Sequence, residues 1–260
     1  MRWWRAVNRR AAIFYIHGIQ SHSGWLWETG PLMARHGIEV FALDRRGSGL
    51  SGGLRGHLES AEVVLDDYTL AADVVQELTD GCPITAVGQS LGGSILAAMC
   101  STRPTPFSRL IFSAPALGQQ RYRHSHSELE QIRHLTGTDE TPVRLKDEQY
   151  TDLPAYLQFM ARDPLMLRNI TLQSRATVVV VEDLYRSFMR SAALEAPVSL
   201  LLPMRDQVIE LGEVRTVMTQ LAPEALVRVF PTANHYLEFS EVQDDYWECL
   251  KRNVLYGIMS

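Results

Sequence analysis

Short apolar runs alternate with segments of helical spacing along this chain. Six runs rich in Val, Ile, Leu, Phe and Ala predict buried strands, at 11–16, 39–43, 84–87, 109–113, 196–202 and 225–230. Three segments predict amphipathic helices, at 66–78, 91–99 and 241–255. Strands that alternate with helices favour an α/β fold with a mostly parallel central sheet flanked by helices. No repeat or linker divides the chain, so we expect one domain with an insertion.

The third apolar run ends at a serine that stands between two glycines, Gly88 and Gly92. A strand, a tight turn and a helix in this order form the strained turn that presents a nucleophilic serine. Glycine fits beside such a turn because it has no Cβ. The alternative is a glycine-rich turn whose serine has no catalytic role, but the flanking strand and helix favour Ser90 as a nucleophile.

A nucleophilic serine needs a base to accept its proton and a carboxylate to orient that base. Where the serine stands on a strand–turn–helix, the acid and then the histidine follow in the chain, on loops after late strands. Asp206 follows the run at 196–202, and His235 follows the run at 225–230. The order of residues therefore predicts Asp206 and His235 as the partners of Ser90.

Other acids and histidines compete for these two roles. Asp163 and Asp183 lie in the middle of the chain rather than after a strand, and Asp206 could itself be a solvated loop residue. Histidines without such a position are usually exposed or structural. We expect this of seven histidines: His17, His22, His36, His57, His124, His126 and His134.

The oxyanion of an acyl-transfer reaction needs two donors, which are commonly backbone amides. The first strand runs directly into His17-Gly18-Ile19, so the amide of Ile19 is the predicted first donor. The amide of Leu91, directly after the serine, is the predicted second donor. A simple glycine turn after the first strand is the alternative.

Five motifs in order resemble the monoacylglycerol lipase and lysophospholipase branch of the α/β hydrolases, often called serine aminopeptidase-like. They are HGIQSHSGW from His17, DRRGSGLSGGLRGH from Asp44, GQSLGG around Ser90, PMRDQVIE around Asp206 and NHYLEF around His235. The resemblance implies that Ser90 is the nucleophile, Asp206 the orienting acid and His235 the general base. It also implies that the amides of Ile19 and Leu91 bind the oxyanion.

The same resemblance implies an α/β-hydrolase core at 1–117 and 196–260, with a helical cap inserted at 118–195. Within this insertion, the run of four valines at 178–181 has high strand propensity. The family has a helix here that leads back into the core, and the following run EDLYRSFMRSAAL continues at helical spacing, so we expect a helix over 174–193. Aromatic residues of the cap either line an acyl channel or pack the cap onto the core, and packing is the commoner role.

Two departures from the family pattern carry expectations of their own. The family usually has a glycine three residues before the acid, and this chain has Pro203 there, so we expect a rebuilt turn before Asp206. The residues before the first long strand, 1–8, leave room for only part of another strand. We therefore expect a shortened edge of the sheet at the N-terminus.

Composition narrows the functional classes. The net charge of −5 gives no basic footprint for nucleic acid, and no apolar run is long enough for a transmembrane helix. Three cysteines without metal-type spacing indicate reduced thiols, no metal site and a cytoplasmic location. The first apolar run enters the predicted oxyanion loop, which argues against a cleaved signal peptide. Arginines interleaved with tryptophans over 2–10 leave peripheral contact with a membrane open.

The leading hypothesis is a serine hydrolase that cleaves a carboxylic ester or thioester of a small-molecule acyl substrate through an acyl-enzyme, without a cofactor. One alternative is transfer of the acyl group to an internal hydroxyl or amine, as in a cyclase or thioesterase of a biosynthetic pathway. Another is a peptidase with an acidic subsite. The alternative of another class is a binding protein that keeps the fold without turnover.

Overall fold

The computed structural model describes residues 1–257, and within them seven strands form one sheet. The strands of the chain are β1 (Arg2–Trp4), β2 (Ala11–Ile16), β3 (Ile38–Ala42), β4 (Ile84–Gln89), β5 (Phe107–Ser113), β6 (Glu140–Pro142), β7 (Asn169–Thr171), β8 (Val198–Pro203) and β9 (Leu226–Phe230). The large sheet has the order β1-β3-β2-β4-β5-β8-β9. Only β1 runs antiparallel to its neighbour, which confirms the predicted mostly parallel sheet.

Nine α-helices lie in the described part of the chain. They are α1 (Thr29–Arg35), α2 (Ala61–Thr79), α3 (Leu91–Thr102), α4 (Gln119–Arg123), α5 (His126–Arg133), α6 (Pro154–Arg162), α7 (Leu172–Phe188), α8 (Leu211–Leu221) and α9 (Gln243–Tyr256). Short 3₁₀ helices cover Ser23–Leu26, Asp147–Gln149 and Leu237–Phe239. All three helices predicted from spacing are present, with ends shifted by a few residues.

Apolar side chains cover both faces of the large sheet. One face packs against α2, α3, α7 and α8, and the other face packs against α1 and α9. The central strands β2 and β4 are buried at every residue, which explains their continuous apolar sequence. The sheet is therefore a rigid platform, and its carboxyl edge carries the loops after β2, β4, β8 and β9.

Helix α7 contains the four valines that have strand propensity. Thr171 begins the helix because its side chain accepts a hydrogen bond from the amide of Ser174. Val179 and Val181 are each 1% exposed, and the helix packs on α2, α3 and α5. Burial of these valines outweighs their intrinsic preference for strands, so the helix predicted over 174–193 forms, although it ends at Phe188.

The connection between β5 and β8 spans the segment predicted as the insertion. Besides helices α4 to α7, it contains the two-stranded antiparallel sheet of β6 and β7, which the sequence did not predict. Each of these strands has three residues, and β6 includes Pro142. A strand this short has no apolar periodicity to detect.

The N-terminal edge of the sheet is the three-residue strand β1. Trp3 stacks on Phe41 of β3 at 5.1 Å between ring centroids, and its indole nitrogen donates to Glu39. The guanidinium of Arg5 lies 4.7 Å from the centre of the Trp3 ring. Trp3 of this arginine-rich segment thus packs against the edge of the sheet. Among residues 1–257, no helix is both long and apolar enough to cross a bilayer.

Candidate active site

Ser90 lies on a strained turn between β4 and α3. Its backbone has φ 52° and ψ −120°, a conformation that costs energy for any residue with a side chain. Its amide donates to the carbonyl of Ser113 at 3.1 Å, and its carbonyl accepts from the amide of Ala116 at 2.9 Å. A Cβ at Gly92 would collide with the carbonyl oxygen of Ile16. The glycine is therefore required by the close approach of α3 to β2.

Asp206 and His235 meet in a buried pair at the same sheet edge. Nδ1 of His235 lies 2.7 Å from Oδ2 of Asp206, and both side chains are fully buried. Oδ1 of Asp206 accepts the amides of Val208 at 2.7 Å and Ile209 at 3.1 Å. Because Nδ1 donates to the carboxylate, Nε2 of His235 carries a lone pair. Nε2 is buried and has no hydrogen-bond partner among residues 1–257, including the Ser90 hydroxyl, so it remains free to accept a proton.

The turn before Asp206 begins at Pro203 and is held by hydrogen bonds to the region of β9. Pro203 is the last residue of β8 and lies opposite Phe230 of β9, where β5 no longer accompanies the strand. A proline is tolerated at such a position because no second strand needs its missing N–H. The next two amides, of Met204 and Arg205, donate to the carbonyls of Phe230 and Thr232. These bonds tie the loop to β9.

A second histidine–aspartate pair lies elsewhere, between His22 and Asp163. Nε2 of His22 is 2.9 Å from Oδ2 of Asp163, which also accepts the indole N–H of Trp25 at 2.8 Å. The other ring nitrogen, Nδ1, accepts the amide of Gly24 at 3.0 Å. Both nitrogens of His22 are therefore occupied, and this imidazole has no lone pair left for a proton. It ties the first loop to the insertion.

The other rival acid, Asp183, points away from the sheet edge. Its carboxylate is paired with the guanidinium groups of Arg121 and Arg133 on the surface of the insertion. These two ion pairs lower the pKa of Asp183, against the opposing effect of its partial burial, which is the largest single contribution. Asp183 joins α4 and α5 to α7 and has no histidine partner among the hydrogen bonds of the described chain.

The loop after β2 is braced by Arg45, which the sequence analysis did not single out. Its guanidinium donates to the carbonyls of His17 at 2.7 Å, Gly18 at 2.9 Å and Ile19 at 3.2 Å. Burial lowers the pKa of Arg45. Three consecutive carbonyls thus point to one side of the loop, which fixes the orientation of its peptide planes. In the sequence, Arg45 is only the first of two adjacent arginines in DRRGSG, and nothing local marks it as buried.

His17 belongs to the same brace. Its Nε2 accepts the backbone amide of Arg45 at 3.2 Å, and its Nδ1 lies 2.9 Å from the carbonyl oxygen of Gly18. Burial, with a smaller contribution from Arg45, lowers the pKa of His17 well below its usual value. His17 is accordingly a neutral structural residue, as expected.

One cavity joins Ser90 to the loop that holds Asp206. It measures about 200 Å³, and its lining includes Ser90, both predicted oxyanion residues and the two residues whose amides hold Asp206: Ile19, Leu91, Val208 and Ile209. Apolar side chains of the insertion, Val143, Leu145 and Val178, form the opposite wall. The cavity can therefore hold an apolar group beside the serine hydroxyl.

The large aromatic residues of the insertion do not line this cavity. Tyr150, Tyr156 and Met160 form an apolar cluster with Trp25 and Phe239. The ring of Tyr156 stacks on that of Phe239 with centroids 4.3 Å apart. These side chains pack the insertion onto the loop after β9, which is the commoner role expected for them. Within residues 1–257, no three His, Cys, Asp or Glu side chains are arranged to hold a metal ion.

A buried carboxyl, Glu238, lies three residues after His235. Its Oε1 accepts hydrogen bonds from the hydroxyls of Tyr15 at 2.7 Å and Tyr246 at 3.2 Å. The side chain lies in the core and burial raises the pKa of Glu238 above its usual value. The folded protein therefore holds a proton on this group more tightly than the unfolded chain does.

We expect Glu238→Gln to flatten the pH dependence of stability. For an acid whose pKa is raised by folding, stability is present below the unfolded pKa of about 4.3 and falls as the pH rises toward the folded pKa. Each unit by which folding raises the pKa lowers the free energy of unfolding by roughly 1.4 kcal/mol at pH values above the folded pKa. Urea unfolding at pH 4.5 and pH 7.5 should show the variant gaining stability relative to wild type at the higher pH. The control is Glu28→Gln, because Glu28 also accepts a tyrosine hydroxyl but is only half-buried. If the free energy of unfolding changed by the same amount between the two pH values in wild type and Glu238→Gln, the raised pKa of Glu238 would be contradicted.

A family model described as serine aminopeptidase, S33, matches residues 7–242. The chain belongs to the serine aminopeptidase S33 family. This S33 protein is 29% identical over 115 residues to a monoacylglycerol lipase of Mycolicibacterium smegmatis, covering 44% of this chain and 41% of the relative. It is 32% identical over 117 residues to a monoglyceride lipase of Rattus norvegicus, covering 45% and 39%. The alignments thus span about two fifths of these relatives.

Solved structures show the same fold over nearly the whole S33 chain. The crystal structure of a Paleococcus ferrophilus monoacylglycerol lipase matches with a TM-score of 0.82 at 22% identity, covering 98% of this chain and 97% of that one. A soluble variant of the Saccharomyces cerevisiae monoglyceride lipase matches with a TM-score of 0.84 at 16% identity, covering 97% and 89%. The α/β-hydrolase fold and the resemblance to its monoacylglycerol lipase branch are confirmed.

Proposed function

We propose that this protein is a serine hydrolase that cleaves a carboxylic ester or thioester through an acyl-enzyme intermediate. Ser90 is the nucleophile, His235 the general base and Asp206 the acid that orients it. The single observation that carries the proposal is the buried Asp206–His235 pair, whose free Nε2 lies at the same sheet edge as the strained Ser90. The named lipases among the relatives support ester substrates.

The first step forms the acyl-enzyme. Ser90 Oγ attacks the ester carbonyl while Nε2 of His235 accepts the hydroxyl proton, and the carboxylate of Asp206 stabilises the imidazolium that forms. The carbonyl oxygen gains negative charge and lies between the amides of Ile19 and Leu91. Collapse of this tetrahedral intermediate breaks the ester bond, and the imidazolium returns its proton to the leaving alcohol or thiol.

The second step releases the acid. Nε2 of His235 accepts a proton from a water molecule while the water oxygen attacks the acyl carbon. The bond between the acyl carbon and Ser90 Oγ then breaks, and the imidazolium returns the proton to Oγ. Arg45 contributes indirectly as a positioning residue, because its bonds to the carbonyls of His17, Gly18 and Ile19 fix the orientation of the peptide planes in the loop that carries the Ile19 amide. No step of this sequence requires a metal or organic cofactor.

The substrate is a small acyl ester whose apolar part occupies the cavity beside Ser90. The insertion at 118–195 acts as the cap that covers this cavity, and its boundaries stay a prediction. The location of the protein is proposed to be cytoplasmic, with a soluble small-molecule substrate or one extracted by peripheral contact with a lipid surface.

The experiment that tests this proposal combines covalent labelling with turnover. We expect a fluorophosphonate probe to label Ser90, identified by peptide mass spectrometry, and the protein to hydrolyse p-nitrophenyl esters in a series from acetate to palmitate. Labelling without hydrolysis of any ester would favour acyl transfer to a dedicated acceptor. A folded protein that neither labels nor turns over any ester would overturn the proposal in favour of a binding protein.

A further inference from the structure

A second, larger cavity under the insertion adjoins the Ser90 cavity. The second cavity measures about 370 Å³, and we call it the vestibule. The two cavities share five lining residues, which are Ile19, Gln120, Arg123, Arg144 and Val178. Two of the shared residues, Arg123 and Arg144, therefore face the Ser90 cavity as well as the vestibule.

The vestibule is lined by positive charge. Arg123 at the end of α4, Arg144 after β6 and Arg175 in α7 all face it, together with His124. No aspartate or glutamate is among the residues described along its wall. A cavity lined by one sign of charge focuses the electrostatic field and attracts ions of the opposite sign.

Two of these arginines have no protein partner. Within residues 1–257, neither Arg144 nor Arg175 makes a hydrogen bond or ion pair, whereas Arg123 donates to the carbonyl oxygen of Val208. Arg175 is half-buried. Partial burial of a charged guanidinium costs solvation free energy, and Arg175 has no hydrogen bond or ion pair within residues 1–257 to offset that cost.

The position of Arg175 adds a second cost. It is the fourth residue of α7, at the end of the first turn, where the positive end of the helix dipole disfavours a cation. No acidic residue occupies that turn to offset the charge. Neither an ion pair nor the helix dipole offsets the charge of Arg175, and an anionic ligand in the vestibule would offset it.

The one acid in the wall of the Ser90 cavity does not neutralise the vestibule. Glu182 is buried, and its carboxylate accepts the amides of Gln120 at 2.8 Å and Arg121 at 3.2 Å. It is also paired with Nε of Arg186 at 3.0 Å and lies near the guanidinium of Arg121. Its ion-pair partners are arginines that lie outside the vestibule. Of the vestibule arginines, Arg123 alone is influenced by the charges of Glu182 and Asp206, and Arg144 and Arg175 have no acidic partner within residues 1–257.

We propose that the vestibule binds the phosphate group of a phosphorylated acyl ester or thioester whose carbonyl lies at Ser90. The proposal rests on the proposed hydrolase function and specifies its substrate class. A phosphate monoester carries a charge of about −1.5 to −2 and three acceptor oxygens, which matches several convergent guanidinium groups better than a neutral glycerol does. Such a group can belong to a lipid, as in an acylglycerol phosphate, or to a soluble carrier, as in an acylated phosphopantetheine.

The test compares substrates that differ only in the phosphate. One arm pairs 1-lauroylglycerol 3-phosphate with 1-lauroylglycerol, and the other pairs S-lauroyl phosphopantetheine with S-lauroyl pantetheine. In at least one arm, we expect kcat/KM of the wild type to favour the phosphorylated member by roughly tenfold or more, chiefly through KM. The arm with the larger preference identifies the source of the phosphate.

The double variant Arg144→Gln/Arg175→Gln should lose most of this preference. Arg215→Gln is the matched control, because it removes an exposed arginine of α8 that lies outside both cavities. It should keep the wild-type preference. The melting temperature of Arg175→Gln should not fall, since the substitution removes a cation from the first turn of α7. Equal kcat/KM for both members of each pair would overturn the inference while leaving the hydrolase proposal intact.

A binding measurement separates failure of the inference from failure of the proposed reaction. Isothermal titration of the Ser90→Ala protein with sn-glycerol 3-phosphate needs no turnover. We expect binding that weakens roughly tenfold or more when Arg144 and Arg175 are replaced in the same background. Absence of binding, or a Kd that is unaffected by the two substitutions, would overturn the inference even if no ester is hydrolysed.

Discussion

The Ser90→Ala variant is expected to hydrolyse esters with kcat lowered on the order of 10⁶-fold, close to the uncatalysed background. Without the hydroxyl, His235 has no proton to accept and no acyl-enzyme forms. The fold should be unaffected, because alanine and serine have the same strain at φ 52° and the Ser90 backbone bonds to Ser113 and Ala116 do not involve the side chain. The measurements are kcat on the best p-nitrophenyl ester and the melting temperature.

The matched control for this prediction is Ser191→Ala, at an exposed serine after α7. It should retain wild-type activity and wild-type labelling by the fluorophosphonate probe, and Ser90→Ala should show neither. A Ser90→Ala protein that keeps a tenth of the activity would place the nucleophile elsewhere.

The second large effect is expected for Asp206→Asn, with kcat lowered about 10⁴-fold. Oδ1 of Asp206 is held by the amides of Val208 and Ile209, so the asparagine oxygen would keep that position and its NH₂ group would face His235. Nδ1 of His235 would then have to accept rather than donate. The proton would move to Nε2, and the imidazole would lose the lone pair that accepts the serine proton.

Asp163→Asn is the control that separates the two histidine–aspartate pairs of the structure. Asp163 holds His22, whose other nitrogen is already occupied, so this substitution should affect the melting temperature more than kcat. The structure assigns the opposite pattern to Asp206. If kcat of Asp206→Asn stayed within tenfold of wild type while Asp163→Asn lost activity, the acid would be Asp163.

The strands and the nucleophile turn could be predicted from the sequence because their causes are local. β2 and β4 are buried on both faces of the sheet, so their apolar runs are continuous and visible. Gly92 is required by the close approach of Ile16, and a glycine at a fixed distance from a serine is a short-range signal. The pairing of Asp206 with His235 could be predicted because each residue follows a strand whose apolar run is recognisable in the sequence.

Other parts of the fold have no local signature. β1 and the pair β6–β7 have three residues each, too few for a period to be recognised, and their existence depends on partners distant in the chain. The valines at 178–181 show the reverse case, where strand propensity is clear but burial against α2 and α3 makes a helix. The resemblance to a family and the helical spacing of the residues after the valines indicated the helix beforehand.

By itself, the sequence determined the α/β class, the strand–turn–helix around Ser90 and the chain order of serine, acid and histidine, since each depends on neighbouring residues. The tertiary structure decided that His235 pairs with Asp206 and keeps Nε2 without a partner, that Arg45 braces the loop after β2, and that Arg144 and Arg175 share one cavity. These facts depend on hydrogen bonds and distances between residues far apart in the chain. Exposed and buried arginines look alike in a sequence, and only packing distinguishes a solvated charge from one directed into a binding site.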